Sequence, residues 1–422
     1  MAGGLLIRAR LCAVAGVAVA ATVVGTLSVP AAPASAAPNC VDPGTAYAPE
    51  PWPQKMFGIE RAWALTRGAN VLVAVLDSGV DANHPQLRGR VAGGTDLITP
   101  GGDGRADCAG RGTQTAGIIA AQQEPNIGFH GLAPQATILP VRVSDSETNG
   151  PSAGVAGLAA GIRFAVSRGA KVISVSPVSY IADPNLAAAV AEAVNNDVLV
   201  VAAAGEDSGS NGLNRIPYPA AFTGVLGVSA VEQNTMVSEK SGQGTFVDLA
   251  APGVAVVSTQ RGGGVTPAEG TAFAAAYVAG AAALVRSWFP QMPAPEVAKR
   301  LMATAAPAPG GVDSLRYGGG IVNPYGALAD QLMDTEPVSV PGMPQEDASD
   351  LARERNWTSS GNLAKLLAGL GVLVALALIG LGAAVPRGRR RRWRPSITRR
   401  PVQRHEDEEP QPPVRLFADR ET

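Results

Sequence analysis

The chain has 422 residues, 46% hydrophobic and 16% charged, with 50 glycines, 34 prolines and a formal net charge of −1. Sparse charge with frequent turn formers suits a large alternating α/β core and argues against a helical bundle or a disordered chain. The small net charge hides an asymmetry: residues 37–362 carry 20 Lys/Arg against 29 Asp/Glu, whereas residues 387–422 carry 11 against 6. An acidic body with a short basic tail speaks against a nucleic-acid partner and for two compartments.

At the start, Arg8 and Arg10 precede an apolar run from Leu11 to Val29, then small residues ending in Ala34-Ser35-Ala36. This predicts a secretory signal peptide over 1–36, cleaved after Ala36, with an uncleaved anchor as the alternative. Residues 37–60, rich in Pro and polar groups, read as an irregular extension. Cys12 would leave with the signal peptide, so Cys40 and Cys108 remain in an oxidising setting. One disulfide between them is expected, the alternative being two free thiols.

The body alternates. Strands are expected at Val71–Leu76, Thr137–Val143, Lys171–Val175, Val198–Ala204, Val225–Ala230 and Phe246–Leu249. Helices are expected at Gly112–Ala121, Ala153–Ser167, Asn185–Asn195, Ala272–Trp288 and Pro293–Thr304. Ala272–Trp288 is apolar all round, hence buried. Such alternation predicts a mainly parallel sheet covered on both faces, an α/β/α sandwich over residues 61–335. Residues 336–362, with Pro337, Pro341, Pro344 and an acidic cluster, read as a linker.

The run from Leu366 to Val385 is uncharged and long enough to cross a ~30 Å hydrocarbon core, so a transmembrane helix is expected over 363–386. Arg387 to Arg394 follows directly, which places the basic, disordered tail 387–422 in the cytoplasm and the body outside. Gly380 and Ala384 form a small-residue pair suited to a partner helix. His84, His130 and His405 are far apart and lack metal-ligand spacing, so neither a metal nor another cofactor is expected.

Four segments carry a resemblance. Val73-Ala74-Val75-Leu76-Asp77-Ser78-Gly79-Val80-Asp81, followed by His84-Pro85-Gln86-Leu87, is similar to the aspartate motif of the subtilases. Gly110-Arg111-Gly112-Thr113-Gln114-Thr115-Ala116-Gly117 resembles their histidine helix, with Arg111 where the family has histidine. Gly270-Thr271-Ala272-Phe273-Ala274-Ala275-Ala276 resembles their serine motif, with Ala272 at the nucleophile position. Val201-Ala202-Ala203-Ala204-Gly205-Glu206 resembles the strand ending in the oxyanion-hole asparagine, with Glu206 in its place. The order is that of a subtilisin-like (S8) domain. Signal peptide, cysteine-tethered extension, linker, one span and basic end are together similar to the mycosins, subtilisin-like proteases of type VII secretion systems. Mycosins often carry a second disulfide in this domain, for which this chain has no cysteines.

The resemblance implies a triad of which only Asp77 is retained. Alanine at 272 offers no nucleophile, and a guanidinium at 111 cannot act as a general base near neutral pH. An ionised Glu206 would oppose the charge that develops on an oxyanion. Thr271, Ser241 and Ser258 offer other hydroxyls, and His84 and His130 other imidazoles. The expected function is a pseudoprotease component that binds or stabilises a type VII secretion membrane complex. Two alternatives stay open: a serine endopeptidase with residual or relocated activity on secreted proteins, and a peptide-binding module that does not cleave. Arg111 is expected to pair with Asp77 or Glu206, the alternative being exposure to solvent at the cleft mouth.

Overall fold

The computed structural model describes residues 40–145, 151–206, 215–311 and 314–331, with helical backbone at 367–373 and 375–376. The chain divides into two units, 1–336 and 337–422. The segments expected to form the signal peptide, the linker over 336–362, most of the 363–386 span and the tail over 387–422 lie outside the described residues. No helix among the described residues is long and apolar enough to cross a membrane.

Within the first unit the elements run α1 (Trp52–Phe57), α2 (Glu60–Trp63), β1 (Leu72–Asp77), β2 (Thr95–Asp96), α3 (Arg111–Ala120), β3 (Thr137–Arg142) and α4 (Gly154–Ser167). Then come β4 (Val172–Val175), α5 (Pro184–Asn195), β5 (Leu199–Ala203), β6 (Val225–Val231), β7 (Leu249–Pro252), β8 (Val256–Thr259), β9 (Val265–Ala268), α6 (Thr271–Trp288), α7 (Ala294–Ala303) and α8 (Pro324–Ala329). Strands β2-β3-β1-β4-β5-β6-β7 form one sheet in that order, and every pair in it is parallel. Strands β8 and β9 form a separate antiparallel hairpin.

Side-chain alternation explains the layering. On β1, Val73 and Val75 join one core with Ile118, Ile119 and the residues of α6, while Ala74 and Leu76 join another with Leu158, Ile162, Leu186 and Val190. The sheet is thus buried on both faces, which is why its strands read as continuous apolar runs. Helix α6 is buried from Thr271 to Arg286, as an all-round apolar helix must be.

Three local differences from the sequence reading have physical causes. The extension over 37–60 is not wholly irregular: Trp52–Phe57 is helical, started by Pro51 and Pro53 and stopped by Gly58 in the left-handed region. The strand expected at Phe246–Leu249 lies instead at Leu249–Pro252, because the Val247 amide bonds the Gly244 carbonyl and holds Phe246 in a turn. The β8–β9 hairpin was not foreseen; Gly262, Gly263 and Gly264 all take positive φ in its turn.

The first described residues lie along this hairpin. Thr45 pairs with Val265, the Arg261 side chain donates to the Val41 carbonyl, and Cys40 and Cys108 are joined by a disulfide. Closing 68 residues corresponds to about 4 kcal/mol in the chain-entropy model.

Candidate functional site

The site lies where open α/β sheets place theirs, beyond the carboxyl ends of the strands at the switch in strand order. Strand β1 sits there, with β3 on one side and β4 on the other, and ends in Asp77. Helix α3 approaches this end closely. A Cβ on Gly112 would lie 1.9 Å from the Gly79 carbonyl oxygen, so only glycine permits the approach.

Asp77 is fully buried and held from three directions. Its Oδ1 accepts from the Ser78 amide at 2.8 Å and from Arg111 Nε at 2.7 Å, and its Oδ2 accepts from Thr115 Oγ1 at 3.0 Å. Arg111 is 5% exposed. Of the dispositions considered from sequence, the observed one is therefore an internal ion pair with Asp77. A second buried carboxylate braces the same corner: Asp107 accepts from Ser78 Oγ, the Gly110 amide, and the Thr113 amide and hydroxyl. Sequence reasoning passed over Asp107, whose signal was its place four residues before Arg111.

Glu206 and Ala272 lie at the same pocket as Arg111, one of about 330 Å³ shared with Glu269 and with Thr266 and Pro267 of β9. Glu206 Oε1 accepts from the Thr271 amide, the first of α6, at 3.2 Å. This carboxylate supplies the helix start with an acceptor that no capping side chain provides. Gly270 makes room for it: a Cβ there would lie 2.6 Å from Oε1, and φ is +143°. Burial pushes the Glu206 carboxyl up, while the Thr271 amide and the Arg111 charge pull it down.

Both imidazoles and the Ser258 hydroxyl are engaged elsewhere, while Ser241 and Thr271 border a neighbouring pocket of about 240 Å³ with Glu206. His84 Nε2 bonds the Gly264 carbonyl at 2.9 Å and its Nδ1 accepts from the Gln86 amide. His130 packs on Trp63, with its Nδ1 at the Gly131 carbonyl. Ser258 Oγ donates to the Gln114 carbonyl, and Ser241 Oγ accepts from the Ala230 amide. Neither His84 nor His130 borders the pocket. Among the described residues no group of three or more His, Cys, Asp or Glu could hold a metal ion.

Two buried carboxyls, Asp107 beside Asp77 and Asp248 at the opposite, amino end of the strands, give the molecule a pH signature. Burial pushes Asp107 up to about 6 against its four donors, and pushes Asp248 up to about 6 against the Gly227 amide. A carboxyl whose folded value is raised binds protons more tightly when folded, so its contribution to stability is lost as pH rises from about 4 to about 6. Burial lowers His84 and His130, which acts in the opposite direction below the ordinary histidine value. A variant isolates one group: Asp248→Asn keeps an acceptor for Gly227. Relative to the native chain it should be more stable at pH 7 than at pH 5, by about 1 kcal/mol. Denaturant unfolding of both chains at the two pH values measures this; an equal difference at both contradicts it.

A parallel sheet with Asp77 at its switch point and the starts of α3 and α6 against it defines a subtilisin-like α/β fold. The comparisons agree: the Subtilase family model matches residues 68–326, and the chain belongs to that family. Mycosin-1 of Mycobacterium tuberculosis (strain ATCC 25618 / H37Rv) is 33% identical over 336 residues, covering 68% of this chain and 74% of the relative. The crystal structure of MycP1 from Mycobacterium smegmatis superposes with a TM-score of 0.62 at 30% identity, covering 72% of this chain and 93% of that one. A chain in the periplasmic assembly from the ESX-5 inner membrane complex gives a TM-score of 0.61 at 32% identity, covering 72% and 90%.

Proposed function

We propose that this chain is a mycosin-like pseudoprotease, a membrane-anchored extracytoplasmic component that binds or stabilises a type VII secretion complex. The observation that carries the reading is the pairing of Arg111 with Asp77 beside a pocket that Arg111 and Ala272 both border. A serine protease needs a hydroxyl nucleophile, an imidazole to take its proton and a carboxylate to orient that imidazole. Of these the reading retains only the carboxylate, and a guanidinium already occupies it. Glu206, hydrogen-bonded to the start of α6, brings a carboxyl where the family presents an amide.

The scaffold role draws on the relatives. One structural neighbour belongs to a periplasmic assembly of an ESX-5 inner membrane complex, and the span and basic end expected from sequence would hold this chain at a membrane in the same sense. Affinity purification of the membrane-solubilised full chain tests it. Secretion-channel components should accompany it through the wash, and a chain that purifies alone would remove the scaffold role.

The pocket of about 330 Å³ beside β9 favours a second reading, a cleft that holds extended peptide by strand addition without cutting it. Peptide that protects the cleft and is recovered intact would separate this from scaffolding alone.

A further inference from the structure

We propose that Tyr180 is a built-in plug: the chain fills the apolar slot beside Ala272 with its own aromatic ring and so closes that side of the cleft to bulky side chains. The segment after β4 leaves the sheet between β1 and β5, the strands that lead to Asp77 and Glu206. It carries Val178 and Tyr180 to the carboxyl end of the sheet. There Val178, Ala203 and Ala272 form a small buried apolar cluster, separate from the two large cores, and Tyr180 packs against it.

Two contacts hold the ring, and a glycine makes room for it. Its hydroxyl donates to the Glu206 carbonyl oxygen at 3.2 Å. Gly205 lets the hydroxyl sit close, since a Cβ there would lie 3.1 Å from it. The Arg215 guanidinium covers the ring, with its carbon 3.7 Å from the centroid. Tyr180 is partly buried, and the arrangement suits it: the ring against an apolar cluster, the polar tip satisfied and a cation over the π face.

The slot exists because its walls are small. Ala203, Gly205 and Ala272 each leave space that a larger side chain would take, and the Tyr180 ring takes it. Ala272 borders both this filled slot and the open pocket shared by Arg111 and Glu206. An aromatic side chain of a peptide lying along the cleft would compete with Tyr180 for the same apolar surface. A peptide with small side chains would not. The plug thus sets which segments the cleft accepts, whatever chemistry the cleft retains.

Indole is a suitable probe, since an apolar cavity of about 150 Å³ can take up a small aromatic molecule. In calorimetric titration of the full chain, Tyr180→Gly should bind indole at least about tenfold more tightly than the native chain, and Tyr180→Phe should resemble the native chain. A folded Tyr180→Gly chain that takes up no more indole than the native one overturns the plug. Should that variant fail to fold, Tyr180→Ala, which empties the slot without adding glycine's backbone freedom, should likewise bind indole several-fold more tightly than the native chain; no change in a folded Tyr180→Ala chain is equally fatal. The plug and the inert reading fail separately, because labelling by a serine-directed reagent would end the latter and leave the former standing.

Discussion

Restoring three positions together, as Arg111→His, Ala272→Ser and Glu206→Asn, is expected to yield a chain labelled by a fluorophosphonate. The native chain and the Ala272→Ser single variant should stay unlabelled. The argument rests on what the site keeps. Asp77 still accepts from the Ser78 amide and Thr115 Oγ1, so it remains placed to orient an imidazole that replaces the guanidinium. Position 272 lies in the first turn of α6 and borders the pocket, so a hydroxyl there would face it. A hydroxyl without a base gains little: in a subtilisin, losing nucleophile or base alone lowers turnover by about 10⁶. Replacing the Glu206 carboxyl by an amide should add a further factor of about 10²–10³ through the oxyanion. Labelling of the native chain would reveal a relocated nucleophile and end the pseudoprotease reading. A folded triple variant that stays unlabelled would mean that these positions do not form the reacting centre.

The second large effect is on stability. Arg111→Ala should destabilise the chain by about 3–5 kcal/mol, because it strands the Asp77 carboxylate in a fully buried position. The Ser78 amide and Thr115 hydroxyl would still solvate that charge, which argues for the lower part of the range. Replacing both partners with neutral groups, as in Asp77→Asn with Arg111→Met, should recover most of the loss, since no unpaired charge then remains. Denaturant unfolding of the two single variants and the double variant gives the coupling directly. Unchanged stability in Arg111→Ala would show that the pair does not bear on folding.

These two tests separate chemistry from architecture in the same few residues. Asp77 stands where the resemblance expects the triad carboxylate, and its partner here is a guanidinium, which stabilises a buried carboxylate. The disulfide-tethered segment reinforces the same region, since Cys108 lies three residues before Arg111.

What the sequence alone determined was the frame. Apolar runs such as Val71–Leu76 and the all-apolar Ala272–Trp288 dictate buried strands and a buried helix through side-chain periodicity, a local property of the chain. The alanine at 272 and the arginine at 111 are equally plain in the letters. Only the tertiary structure decided what the replacements do, because their partners are distant in the chain. Arg111 meets Asp77 across 34 residues, Glu206 meets the Thr271 amide across 65, and Tyr180 packs from beyond β4 against a cluster that includes Ala272. The hairpin over 256–268 and the short helix at Trp52 escaped the reading for the same reason: glycine and proline announce a turn, but long-range packing decides what the turn connects.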